Sequence, residues 1–207
     1  WTDRAIFDQE GNILEFQSVG SDISERKRAE KVQDAIYKIS QAAVSTERLD
    51  DLYHSIHSIL GELIPAENFF IALYDPVNDL LSFPYFVDQY DQPPLPEKAG
   101  HGLTAYVLRT GHSLLAPPEV FNQLVGQGEV ELVGTNSVDW LGVPLNIEEK
   151  IIGVMVTQSY TEGVRFDQEE ADLLEFVSTQ VAQAIERKSL EQEILNIQTR
   201  GGCWVRH

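Results

Sequence analysis

The stretch Asn136–Tyr160, NSVDWLGVPLNIEEKIIGVMVTQSY, decides the fold. Its two apolar runs, Val138–Leu145 and Ile151–Gln158, are rich in β-branched and aromatic residues and flank a polar link, Asn146–Lys150. Each run reads as a strand, and the charged link reads as a hairpin tip standing in water. Gly142 and Gly153 interrupt the runs, which marks a bulge or a close backbone approach rather than a helix. Neither strand alternates between apolar and polar residues, so both faces of this antiparallel pair are expected to be covered. Helices must take one face, and a lid or a ligand pocket the other.

Working outward, 207 residues hold one domain or at most two, with ample length for a core. The apolar share of 43% and the charged share of 23% are ordinary. The formal net charge of -18 is not, and Glu47–Arg187 carries most of it, with 6 basic against 23 acidic residues. Such a surface repels phosphate backbones and anionic membranes, which excludes a nucleic-acid partner. No apolar run approaches the roughly 18 residues that span a bilayer, and no secretory signal pattern is present. Cys203 is the single cysteine, so there is no internal disulfide and no multi-cysteine metal site; a reducing, cytoplasmic setting fits. Met155 is the sole methionine, and an excerpt from a longer protein is expected.

From the N-terminus, Ala5–Phe7 and Ile13–Val19 read as two strands around the turn Asp8–Asn12, a hairpin too small to stand alone and expected to belong to a larger sheet. From Glu25 to about Val44 the pattern is helical, with Ala29, Val32, Ile36, Ile39 and Ala43 forming a heptad seam. That seam packs either on its own domain or on a second copy in a parallel dimer. Ser45 or Thr46 is expected to cap a second helix, Leu49–Ile64, which Pro65 closes. His54 and His57 lie three apart on it and read as a surface or half-buried pair rather than a metal site. Asn68–Tyr74 and Leu80–Val87 form the next strand pair. Asp88–Ala99, with three prolines, is expected to be a surface loop without regular elements. A helix over Gly102–Arg109, a strand at Ser113–Ala116 and a helix over Glu119–Leu124 follow, then a polar connection, Gln127–Thr135. This middle block is where a fold places a lid or a binding site. Asp167 begins the last helix, with Glu170 completing a capping-box-like pattern, and Leu174, Val177, Val181 and Ile185 marking its seam before Leu190, Ile194 and Ile197 resume it. Gly201–His207, with Trp204, reads as a tail.

The pieces GLTAYVLRTGHSLL, VDWLGVPL, IIGVMVTQSY and FDQEEADLLEFVSTQVAQAIERK resemble a GAF domain, over about Lys31–Lys188. The N-terminal WTDRAIFDQEGNILEFQSVGSDISERKRAE is similar to the last strands of a PAS domain and the linker that follows it. The resemblance implies an α+β fold: a six-stranded antiparallel sheet with helices packed on one face and a loop and short-helix pocket region on the other. It divides the chain into PAS-like strands (1–23), a linker helix or first GAF helix (24–46), the GAF domain (47–187), and an exit helix extension with tail (188–207). It further implies a small-molecule pocket and a homodimer through the terminal helices, within the sensory half of a bacterial histidine kinase or a related signalling protein with a downstream output domain. Covalent bilin attachment is excluded within the domain, because Glu47–Arg187 holds no cysteine. The Asn-Lys-Phe-Asp-Glu pattern of cyclic-nucleotide-binding relatives is absent. Haem would need a histidine such as His101 or His112, and lone histidines more often serve as polar surface residues.

No cofactor is therefore expected, and the ligand is unknown. No P-loop or Gly-x-Ser-x-Gly elbow occurs, and His54 lacks a phosphoacceptor's surroundings, so catalysis is not expected. The leading expectation is a non-catalytic sensory module whose pocket is lined by Phe86, Tyr106, Phe121, Trp140 and Gln158. The alternative is a ligand-free dimerisation spacer, with the pocket filled by Tyr85, Phe86, Tyr106, Phe121 and Trp140.

Overall fold

A computed structural model describes residues 2–19 and 23–201. The expectations for Gly20–Asp22 and for the tail from Gly202 onward, with Cys203 and Trp204, lie outside the described residues. Strands β1 (Thr2–Phe7) and β2 (Ile13–Val19) form an antiparallel hairpin, a separate two-stranded sheet. Asp8 shapes its turn, accepting the amides of Glu10 and Asn12 on one carboxylate oxygen.

Helix α1 (Ser24–Ser45) contains no proline and presents Ala35, Ile39, Ala42 and Ala43 to the core. Helix α2 (Leu49–Gly61) buries Leu52, Tyr53, Ile56 and Leu60. Its start departs from expectation. Arg48 occupies the cap position with no side-chain cap, while the Thr46 hydroxyl turns back to the Ala42 carbonyl at 2.7 Å and closes α1 instead. Asp50 and Asp51 in the first turn of α2 face its positive dipole end.

Strands β3 (Asn68–Asp75) and β4 (Leu80–Val87) follow, then β5 (Glu97–Lys98), two residues inside the segment expected to hold no regular element. The prolines leave just enough free chain there for two ladder pairs with Leu80 and Leu81. Helix α3 (Leu103–Thr110) ends on Gly111 at φ +70, the left-handed stop for which glycine is suited. Strand β6 (Leu114–Ala116) and helix α4 (Pro118–Gly126, proline in its first turn) complete the middle block.

Strands β7 (Asp139–Ile147) and β8 (Lys150–Ser159) are the expected central hairpin, and α5 (Gln168–Gly201) is the exit helix. Its first turn carries the expected box: Asp167 Oδ1 accepts the Glu169 amide at 2.6 Å, and Glu170 Oε2 accepts the Asp167 amide at 2.9 Å.

The main sheet is six-stranded and antiparallel throughout, in the order β5-β4-β3-β8-β7-β6. Helices α1, α2 and α5 cover one face, where Phe69, Ile71, Leu141, Val143, Leu145 and Met155 meet the helix residues in one core. The opposite face carries Phe70, Ala72, Trp140, Val154 and Val156 beneath α3, α4 and the loops. Both glycines mark close approaches, and Gly153 also adjoins a bulge, since Leu145 pairs with Gly153 and Asn146 with Ile151, leaving Ile152 as an extra residue in β8. A Cβ at Gly142 would collide with the Trp140 indole, and one at Gly153 with the Ala72 carbonyl oxygen.

A second bulge of the main sheet falls in β4. Ile71 pairs with Tyr85 and Leu73 with Ser82, so β4 holds one extra residue there, beside Pro84. It reverses the strand's alternation, sending Leu81, Phe83 and Phe86 to one face and Tyr85 to the other. Tyr85 therefore belongs to the helix-side core, not to the pocket it was expected to fill. Its hydroxyl lies 2.8 Å from His57 Nδ1 and 3.2 Å from His54 Nδ1, and His57 Nε2 reaches the Ala66 carbonyl at 2.6 Å. The histidine pair thus ties α2 to β4.

Candidate functional site

On the sheet face away from the long helices lies a cavity of about 390 Å³. Its floor is the second apolar layer. Phe70 and Phe86 stack at 5.3 Å between ring centroids, and Phe83 stands 5.9 Å from Phe70 and edge-on to Phe86 at 6.3 Å. Trp140 lies on β7, with β8 between it and β3, its indole laid over Gly142 and 5% exposed. The walls come from the loop at 91–102, the start of α3, Phe121 of α4, and the segment 131–137.

Of the five residues singled out in the sequence, Phe86, Phe121, Trp140 and Gln158 line this cavity. Tyr106 does not. On α3 it faces along the helix surface, its ring under the Arg109 guanidinium at 5.3 Å. His101 stands on the rim, whereas His112 is exposed beyond the end of α3 and off the wall. Among the described residues no group of three or more histidine, cysteine or acidic side chains is placed to hold a metal.

The polar frame of the cavity was not foreseen. Gln158 is nearly buried at one end of the floor, and its Nε2 donates to Asp88 Oδ2 at 2.6 Å. Asp88 also accepts the Tyr160 hydroxyl at 3.0 Å and the amides of Tyr90 and Asp91 at 2.8 and 2.9 Å. Burial, with the Asp88 carboxylate second, holds the Tyr160 phenol well above its ordinary range. One turn further, Asp91 takes both donors of Thr135, the amide at 2.8 Å and the hydroxyl at 2.9 Å. This clamps the 131–137 segment across the mouth. Gly134, at φ +76, passes so close that a Cβ would stand 2.7 Å from Asp91 Oδ2. The readable signal was an aspartate two and three residues ahead of free amides, Asp88 before Tyr90 and Asp91, a local turn motif.

An antiparallel sheet with helices on one face and a loop-roofed cavity on the other defines a module of the α+β class. The sequence matches the model of the GAF domain over residues 46–186, and the chain belongs to that family. No curated protein matches it. Among solved structures, it is similar to the GAF domain of a phosphoenolpyruvate-protein phosphotransferase from Acinetobacter, with 16% identity, TM-score 0.61, and 78% of this chain and 97% of that one covered. It is equally similar to a free methionine-R-sulfoxide reductase from Neisseria meningitidis in complex with its substrate, with 16% identity, TM-score 0.61, and coverage of 84% and 97%. A fragment of a methyl-accepting chemotaxis protein, residues 122 to 287, matches at 16% identity and TM-score 0.55, with coverage of 73% and 97%. At these identities the likeness establishes the fold.

Proposed function

We propose that this chain is a sensory or regulatory GAF module that binds a small molecule in the cavity and passes the event to the helices on the opposite sheet face. The cavity carries the reading. Its volume falls within the range of about 300–1,000 Å³ typical of small-molecule sites. Only the sheet separates it from the helix-side core, so floor residues such as Trp140 alternate along β7 with Leu141 and Val143 beneath α5. A ligand biases only states it binds differently, so the loops and helices must have two arrangements close in free energy. Signalling neighbours of the same fold, the phosphotransferase domain and the chemotaxis fragment, support the regulatory reading.

In this proposal the output runs through a homodimer formed by the terminal helices, to an output domain of the same chain. On α5, Leu190, Ile194 and Ile197 are exposed at heptad spacing, a stripe suited to a second copy. The N-terminal hairpin is the end of a PAS-like domain, and the whole the sensory half of a histidine kinase or related protein in the cytoplasm. The hairpin's pairing, Ala5 with Phe16 and Phe7 with Ile13, supports this by collecting apolar side chains on one open face. No catalysis is assigned. Thiol chemistry of the kind that reduces a sulfoxide has no cysteine within 47–187 to use, even though a reductase shares the fold.

Native mass spectrometry of freshly purified protein, with a thermal-shift screen of metabolites, tests the ligand. A retained mass, or a rise in Tm with one compound class, is the expected outcome. No adduct and no shift across a broad panel would overturn the reading in favour of a ligand-free spacer.

A further inference from the structure

We infer that the cavity takes a small organic cation, of the alkylammonium class, held against the aromatic floor. This rests on the small-molecule reading above and narrows it. Phe70, Phe83 and Phe86 form a connected set of ring faces and edges, and Trp140 adds an indole. A cation within about 6 Å of such rings is attracted by their quadrupoles, most strongly by indole, and the attraction grows as water is excluded.

The charges around the cavity point the same way. Asp91, Glu97 and Glu131 stand on the wall and rim. Lys98 is the one lysine or arginine there, and its Nζ is drawn off to the Asn78 carbonyl at 2.6 Å, in the β3–β4 turn. The start of α3 also opens on the cavity, without a side-chain cap, and contributes roughly half a positive charge. Three carboxylates against one lysine and that half charge leave the site negative. Gln158 Nε2 donates to Asp88 and to the Tyr160 hydroxyl, which leaves its carbonyl oxygen as the free end of that side chain. The formal charge of -18 extends the same sign over the whole surface and draws cations toward the mouth.

Isothermal titration of the full chain tests this with tetramethylammonium, choline and phenyltrimethylammonium as cations. Dimethylbutanol, the uncharged carbon analogue of choline, and acetate serve as controls. At least one cation is expected to bind about tenfold or more tighter than dimethylbutanol, with acetate weaker still. Phe86→Leu, checked for an unchanged circular dichroism spectrum, is expected to reduce cation binding several-fold while changing dimethylbutanol binding less. Equal or tighter binding of dimethylbutanol or acetate would overturn the cation assignment and leave a small-molecule site standing. If none of these probes binds at about 10 mM but the metabolite screen finds a neutral or anionic ligand, the cation assignment also fails. If the screen is blank as well, the small-molecule reading falls with it.

Discussion

At the residue scale, what could be read from sequence was where backbones crowd. Gly142 and Gly153 announced close approach, and each has it, but against different partners. At Gly142 the obstacle is the Trp140 indole, a side chain that can turn. At Gly153 it is the Ala72 carbonyl, held in the β3–β8 ladder. Gly153→Ala is therefore expected to destabilise more than Gly142→Ala, with overpacking of this kind costing about 1–3 kcal/mol. Urea midpoints of the two variants check the order. Gly142→Ala should in addition shift the tryptophan fluorescence, because the indole must leave its slot. A place on the cavity floor was legible for Phe86 and Trp140, large apolar residues on strands beside the variable block. It misled at Tyr85, since an alternation rule has no way to see the bulge beside Pro84. Titration supplies a second test. Burial raises the Tyr53 phenol to about 12, and Tyr85 and Tyr160 are raised as well. With the folded pKa above the unfolded value near 10, stability is fully present below pH 10 and is lost as pH rises through the folded values. For Tyr53 alone the loss is about 3 kcal/mol between pH 10 and 12. Urea midpoints taken across that range should fall, and Tyr53→Phe should flatten the decline while leaving the neutral-pH slope unchanged.

At the scale of elements, α5 shows why one apolar pattern serves two purposes. Leu174, Val177, Val181 and Ile185 are buried against the sheet and α1, and the next place on that face is taken by Lys188, buried and paired with Glu191 at 2.6 Å. The sequence reads as if the seam resumes at Leu190. The step from Ile185 to Leu190 is five residues, however, which turns the stripe by about 140° at 100° per residue. Leu190, Ile194 and Ile197 consequently point away from the domain, between 52% and 64% exposed, while Phe176, two heptads before Leu190, is exposed on the same line. The α1 seam went the other way, with Ile39 and Ala43 absorbed into the chain's own core. The dimer proposal accordingly rests on α5. Sedimentation at tens of micromolar should give a dimer for the natural sequence and a monomer for Leu190→Lys combined with Ile194→Lys. An unchanged Tm below the association range would show that the fold survives. A natural chain that sediments as monomer at that concentration ends the proposal.

For the whole molecule, the question is how much chain the fold needs. The family match begins at residue 46, after α1. The core does not. Ile39 is fully buried, and Ala35, Ala42 and Ala43 are nearly so, against α2 and α5, with Arg28 paired to Glu169 at 2.8 Å across α1 and α5. Removing α1 would open the apolar surface of α2 and α5 that it covers to water, at about 25 cal/mol for each Å² exposed. The β1–β2 hairpin differs, since among the described residues its two strands pack chiefly on each other. A chain starting at Ser24 should therefore melt at the same temperature as the full chain, within a degree or two. A chain starting at Glu47 should lose several kcal/mol, comparable to deleting more than one large core side chain, and should bind a hydrophobic dye at room temperature. Of the two readings of 24–46 drawn from sequence, linker helix or first GAF helix, that outcome would favour the second. Equal stability of the two truncations would instead show that the sheet and its two remaining helices hold together alone. In that case α1 would be free to move relative to the sheet, as a helix carrying a signal must.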